Sequence, residues 1–175
     1  MFIWKQVTAE EWLLRVSAQM AGGVLAFPII QGISSFYDVT IGGPAFSLGD
    51  CEGCAGTMFD AIMNEFLASF ILLMGVFIFC TTAIGKIYYI KQPLLAAVIR
   101  YCCVFYGKTG PAMNPALGTT WAFFTADQVY PSDTAHYIVY WLGSMLGASM
   151  AALTWSALDP AGPSGFLAKN KSKKE

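Results

Sequence analysis

Residues 107–124 read Gly107-Lys108-Thr109-Gly110-Pro111-Ala112-Met113-Asn114-Pro115-Ala116-Leu117-Gly118-Thr119-Thr120-Trp121-Ala122-Phe123-Phe124. The stretch is apolar enough to enter a membrane and too broken to cross one. Gly107, Gly110 and Pro111 disfavour a regular helix, the glycines through backbone entropy and the proline through its missing N–H. Asn114 followed by Pro115 is a helix start, because Asn caps and Pro suits the first helical position. A helix over 115–124 measures about 15 Å at the usual rise per residue. That is half of a hydrocarbon core about 30 Å thick. The reading that follows is a re-entrant loop that dips to mid-membrane and returns through a half-helix. The same residues also suit a plain loop with an Asn-Pro turn.

The flanks favour the membrane reading. Runs 12–36, 61–85 and 136–158 are each long and apolar enough to cross. A fourth run, 87–106, is long enough if Lys91 and Arg100 snorkel or face inward. The first run is too long for a signal-peptide core and has no small-residue cleavage site after it. Hydrophobic residues make up 56% of the 175 and charged residues 12%. A soluble domain carries about 25% charge, so an ordinary soluble enzyme, a disordered chain and a disulfide-stapled secreted module are excluded. A net charge of −1 gives no electrostatic case for nucleic acid as a partner. The partner composition does imply is the lipid bilayer.

Charge placement orients the spans. Lys5 and Arg15 precede the first run, Lys86 and Lys91 lie between the second and third, and Lys169, Lys171, Lys173 and Lys174 follow the fourth. The alternate loops hold Asp38, Asp50, Glu52, Asp60, Asp127 and Asp133, with Lys108 the basic exception. The positive-inside rule then puts both termini in the cytosol, with residues 159–175 as a Lys-rich cytosolic tail. Lys171 and Lys173 also look like a dilysine retrieval signal of endoplasmic-reticulum membrane proteins.

Backbone at mid-membrane is tolerated only where it lines water or packs in protein, so carbonyls of 107–113 would line a pathway. The half-helix would aim about half a positive charge at the midplane, with the Asn114 amide as a donor. Such a site orients water or a small neutral solute and repels protons and cations. Glu65, the one carboxylate inside a run, is either an acceptor for loop N–H groups or a proton-transfer group. Arg100 is a buried or snorkelling partner of polar loop groups, or a permeation residue. Cys51-Glu52-Gly53-Cys54 is a local disulfide or two idle thiols. A metal site needs four ligands and the only histidine, His136, is far off in sequence, so no metal is expected. Cys102 and Cys103 read as packing residues. Residues 143–147, with Ala148 and Ala151, form a small-residue face for close helix contact. No nucleophile–base pair and no phosphate loop is present, so neither an enzyme nor a cofactor is expected.

Thr109 to Ala116 resembles the second Asn-Pro-Ala loop of the aquaporin, or major intrinsic protein, family. Tyr140-Trp141-Leu142-Gly143-Ser144-Met145-Leu146-Gly147-Ala148 is similar to its last helix. Asn64-Glu65-Phe66-Leu67-Ala68-Ser69-Phe70 is similar to its fourth, and the run around Gln19 to its third. The resemblance covers roughly 8–158. Leu117 stands where the family usually has arginine, and Pro111 where many relatives have a small residue or cysteine. With Gly42-Gly43-Pro44 and the Lys-rich tail, these resemble the small basic intrinsic proteins of plants, with animal superaquaporins as near alternatives.

The resemblance implies an all-α integral membrane protein, aquaporin-like, with four transmembrane helices plus one re-entrant half-helix, these being spans three to six of a six-span fold. It implies that the sequence lacks the first two spans and first Asn-Pro-Ala loop, as an N-terminally truncated, single incomplete domain. Asn114, Pro115 and Ala116 become the pore loop, Cys102, Pro111 and Leu117 the selectivity-filter positions, and Glu65, Gln19 and Gly110 structural support. The implied function is passive transport of water or small neutral solutes, by a subunit of a family tetramer, homo- or hetero-oligomeric. This chain alone is expected not to conduct. The alternative is a non-conducting protein that associates with full-length relatives and alters their assembly or traffic.

Overall fold

A computed structural model describes residues 7–38, 43–81, 87–125 and 134–159. Lys171 and Lys173 lie outside the described residues. Helix α1 spans Ala9–Tyr37. It starts ahead of the apolar run because Thr8 caps it: the Thr8 hydroxyl accepts from the Glu11 N–H at 3.2 Å, and Glu10 and Glu11 complement the positive helix end. It stops at Asp38, whose φ of 53° is left-handed and whose N–H returns to the Ser34 carbonyl.

Helix α2, Met58–Thr81, opens with a reciprocal cap. The Thr57 N–H and hydroxyl both donate to Asp60 Oδ2, at 2.9 and 2.7 Å, and the Asp60 N–H donates to Thr57 Oγ1 at 3.2 Å. Helix α3 is Tyr88–Phe105, followed by a 3-10 turn at Gly107–Thr109. Helix α4 is Pro115–Thr125, and α5 runs Thr134–Leu158 with wide π-type turns over Ile138–Gly143. Among the described residues no strand forms beyond a single Gly49–Gly56 bridge.

Helices α1, α2 and α5 are long and apolar enough to cross a membrane. Helix α3 is shorter and carries Lys91 and Arg100. Arg100 is exposed, which corrects its reading as a buried partner of the loop: its side chain lies on an open face of α3.

Helix α2 is the hub, packed against α5 and α3, while α4 packs against α1 and α5. The α2–α5 seam is built from small residues. Ala61 and Ala68 are buried on α2, and Gly143, Gly147 and Ala151 on α5. A Cβ at Gly143 would sit 3.0 Å from the Ile62 carbonyl, and one at Gly147 would strike the Phe66 carbonyl. The two backbones thus meet without intervening side chains, the approach that small residues permit in membranes. Helix α1 has no buried residue. Leu14, Leu25, Ile29 and Ile33 stand open on it, a surface that suits lipid or another apolar chain.

Candidate functional site: a buried loop and its half-helix

The loop between α3 and α4 lies inside the bundle. Thr109, Pro111, Ala112 and Ala116 are buried, and Asn114 is half-buried. Helix α4 has 11 residues, about 16 Å at the standard rise, too short to cross. The Asn114 Oδ1 accepts from the Ala116 N–H at 3.0 Å and so caps the helix. The Asn114 amide nitrogen donates to Gln19 Oε1 of α1 at 3.4 Å.

Two residues turn the chain. Gly110 has φ 50° and Met113 φ 51°. Gly110 also meets the Gly43 carbonyl, where a Cβ would collide. Only glycine serves both demands.

Glu65 holds the loop from behind. It is fully buried on α2. Its Oε1 accepts from the Met113 backbone N–H and from the Ser144 hydroxyl of α5, the latter at 2.8 Å. Its Oε2 and the Ser69 hydroxyl, one turn further along α2, have no hydrogen-bond partner among the described residues. The start of the loop is tied from two sides. Asn64 Nδ2 donates to the Tyr106 carbonyl at 3.2 Å and lies 3.5 Å from Thr109 Oγ1, and the buried Tyr140 hydroxyl donates to the Thr109 carbonyl.

The half-helix is wedged between α1 and α5. Gly23 of α1 faces Thr120 so closely that a Cβ would lie 2.9 Å from the Thr120 Cβ. Phe27 meets Trp121 edge-on at 5.2 Å. On the other side Trp141 Nε1 donates to Thr119 Oγ1 at 2.9 Å, and His136 Nε2 lies 2.9 Å from the Gly118 carbonyl. Thr119 and Thr120 each turn their hydroxyl back to the carbonyl four residues earlier. Both hydroxyls are thereby satisfied within the helix.

The three filter positions have unlike surroundings. Cys102 has no accessible surface, and its thiol lies 3.5 Å from the Ala68 carbonyl of α2, toward which it donates. Pro111 is buried in the loop. Leu117 is 38% exposed on α4. Sequence reasoning attached no role to Asn64, Thr109, Tyr140 or His136. For Asn64 a signal existed, since a polar residue inside an apolar run is worth a question. Cys51 and Cys54 form a disulfide. Among the described residues no three His, Cys, Asp or Glu gather as a metal site.

Comparison with known proteins agrees with this architecture. The family described as Major intrinsic protein matches residues 1–155. Aquaporin SIP1-1 of Arabidopsis thaliana is 32% identical over 153 residues, covering 84% of this chain and 57% of its own length. Probable aquaporin SIP1-2 of Arabidopsis thaliana is 31% identical over 158 residues, 88% and 57%. Aquaporin SIP1-2 of Zea mays is 27% identical over 148 residues, 83% and 56%. The chain therefore spans a little over half the length of the relatives it matches, which fall in the small basic intrinsic branch. No solved structure matches. An all-α fold with membrane-length apolar helices and a buried, Asn-capped half-helix, together with these matches, makes the chain an integral membrane protein of the major intrinsic protein family.

Proposed function

We propose that these residues form one half of an aquaporin-like conduit for passive movement of water or small neutral solutes. The observation that carries this reading is the Asn114-capped half-helix, wedged between α1 and α5 with its loop anchored on Glu65. The Asn114 amide would orient a passing solute, and the positive end of α4 would oppose protons and cations. Pro115 and Ala116 complete the helix start, while Gln19 and Gly110 hold Asn114 and the turn in place. Of the three filter positions Leu117, the exposed one, would face the conduit as a wall without fixed charge, less selective for water than arginine, while the buried Cys102 and Pro111 would back it rather than line it. Neither a reaction nor a cofactor has a part in this mechanism.

The N-terminus of a half-helix carries unpaired donors that need partners at membrane depth. The 175 residues are therefore proposed not to conduct unless a second half-helix, from another chain of the family, covers that end. Both termini are assigned to the cytosol from the lysine placement, and Lys171 and Lys173 to retrieval in the endoplasmic reticulum. The open apolar surface of α1 favours a second reading, in which the chain binds full-length relatives as an oligomer and modulates their assembly or traffic.

Liposome swelling separates these readings. Vesicles with the purified 175-residue chain are expected to swell no faster than empty ones, and vesicles with a full-length relative faster than both. Rapid flux through the chain alone would refute the half-conduit. Co-purification with the relative, and a change in its flux, supports the modulatory reading.

A further inference from the structure

The hairpin between α1 and α2 carries a disulfide whose position is not that of a staple. Cys51 and Cys54 are three residues apart, and a cross-link constrains the unfolded chain least when the loop it closes is shortest. The hairpin is already closed by the backbone. The Ala55 N–H donates to the Ser47 carbonyl and the Gly49 N–H to the Gly56 carbonyl, both at 2.9 Å. Ala55 is anchored in a buried cluster with Ala61 and Val139. The bond therefore adds little to a turn held without it.

Its surroundings favour chemistry. Cys51 is exposed and Cys54 is buried at the base of the turn. Both line a cavity of about 580 Å³ shared with Asp50, Asp60, Asn64, Tyr106 and Lys108. The volume suits a small molecule. Lys108 supplies a cation that favours a thiolate, and Asp50 and Asp60 oppose it from the same wall. Asn64, on that wall, is the residue that ties down the Tyr106 carbonyl and sits beside Thr109. The cavity is thus continuous with the start of the buried loop.

We propose that Cys51–Cys54 is a thiol–disulfide exchange site for a low-molecular-weight thiol that enters this cavity. The incoming thiolate attacks the exposed Cys51 sulfur, forming a mixed disulfide, and the Cys54 thiolate leaves into the cavity that Lys108 also lines. A second thiolate attacks the sulfur of the bound thiol and releases Cys51. Two thiols are oxidised to one small disulfide, two electrons pass to the protein, and each cysteine takes up one proton. Reduction opens the ring of residues 51–54 while the backbone bonds of the turn remain. The inference does not depend on the transport reading.

The test uses reduced glutathione as the probe, on the full 175-residue chain in membranes. After acid quenching, free thiols are tagged with a maleimide and tagged peptides identified by mass. The expected result is tagging of both Cys51 and Cys54 while the helical circular dichroism is unchanged. Lys108→Gln should slow the reaction severalfold, and Lys91→Gln, on a different part of the fold, should not. The proposal is overturned if the pair resists glutathione until the chain is unfolded, or if the two lysine variants react at the same rate. A loss of helicity in Lys108→Gln is controlled by Lys108→Arg, which keeps the cation and should restore the rate.

Discussion

Glu65 offers the most direct test of how the buried loop is held. Replacing it with alanine removes the acceptor for the Met113 N–H and the Ser144 hydroxyl at once. The Ser144 side chain is buried, so its hydroxyl has no bulk water to turn to once the carboxylate is gone. Each buried donor left unpaired costs about 1–3 kcal/mol, so Glu65→Ala should destabilise the fold by about 2–6 kcal/mol. Glu65→Gln keeps an amide oxygen at the Oε1 position and places its NH2 where Oε2 already lacks a partner. It should cost less than half as much. The measurement is unfolding by a denaturing detergent in mixed micelles, followed by helical circular dichroism. If Glu65→Ala unfolds at the wild-type midpoint, the anchoring role is refuted. If Glu65→Gln is as damaging as alanine, the negative charge matters and the acceptor account is wrong.

Other substitutions follow from the same geometry. Gly147→Val puts a side chain against the Phe66 carbonyl and the Ser69 Cβ, and the same unfolding assay should show a loss of about 1–3 kcal/mol from overpacking. Tyr140→Phe deletes the hydroxyl that donates to the Thr109 carbonyl; a loss of about 1 kcal/mol is expected, with faster amide exchange at Gly110 and its neighbours. Asn114→Ala removes the cap on the Ala116 N–H and should cost about 1 kcal/mol, whereas Asn114→Asp, which keeps the capping oxygen, should cost less.

The sequence discloses class and family because both depend on local or repeated signals. Apolar runs of membrane length are read by counting, and Asn114 beside Pro115 is a statement about two adjacent residues. Glu65 stands out because a carboxylate in an apolar run needs an explanation. What the loop touches is another matter. That Tyr140 reaches Thr109, or that the Gly43 carbonyl presses on Gly110, depends on how distant segments approach, and no spacing encodes it. Cys102 illustrates the difference. Counting back twelve residues from Asn114 puts it at a filter position, yet its accessibility is set by the rotation of α3 against α2, where the thiol turns to the Ala68 carbonyl. Arg100 shows the same limit: the sequence allows it to be buried or snorkelling, and its exposure on α3 removes only the buried option, since residue type does not say which side of a helix faces the bundle.

The wide turns over Ile138–Gly143 bear on how α5 tolerates changes in length. Each residue of a regular helix advances about 100° around the axis, so an insertion or deletion normally swings everything beyond it onto another face. A π-type turn absorbs one surplus residue in place. Removing a single residue within 138–143 should tighten that turn and leave Gly147 and Ala151 aimed at α2, while the same deletion after Gly147 would rotate Ala151 and Trp155 away from it. The register of this helix is therefore adjustable at one place along its axis and fixed beyond it.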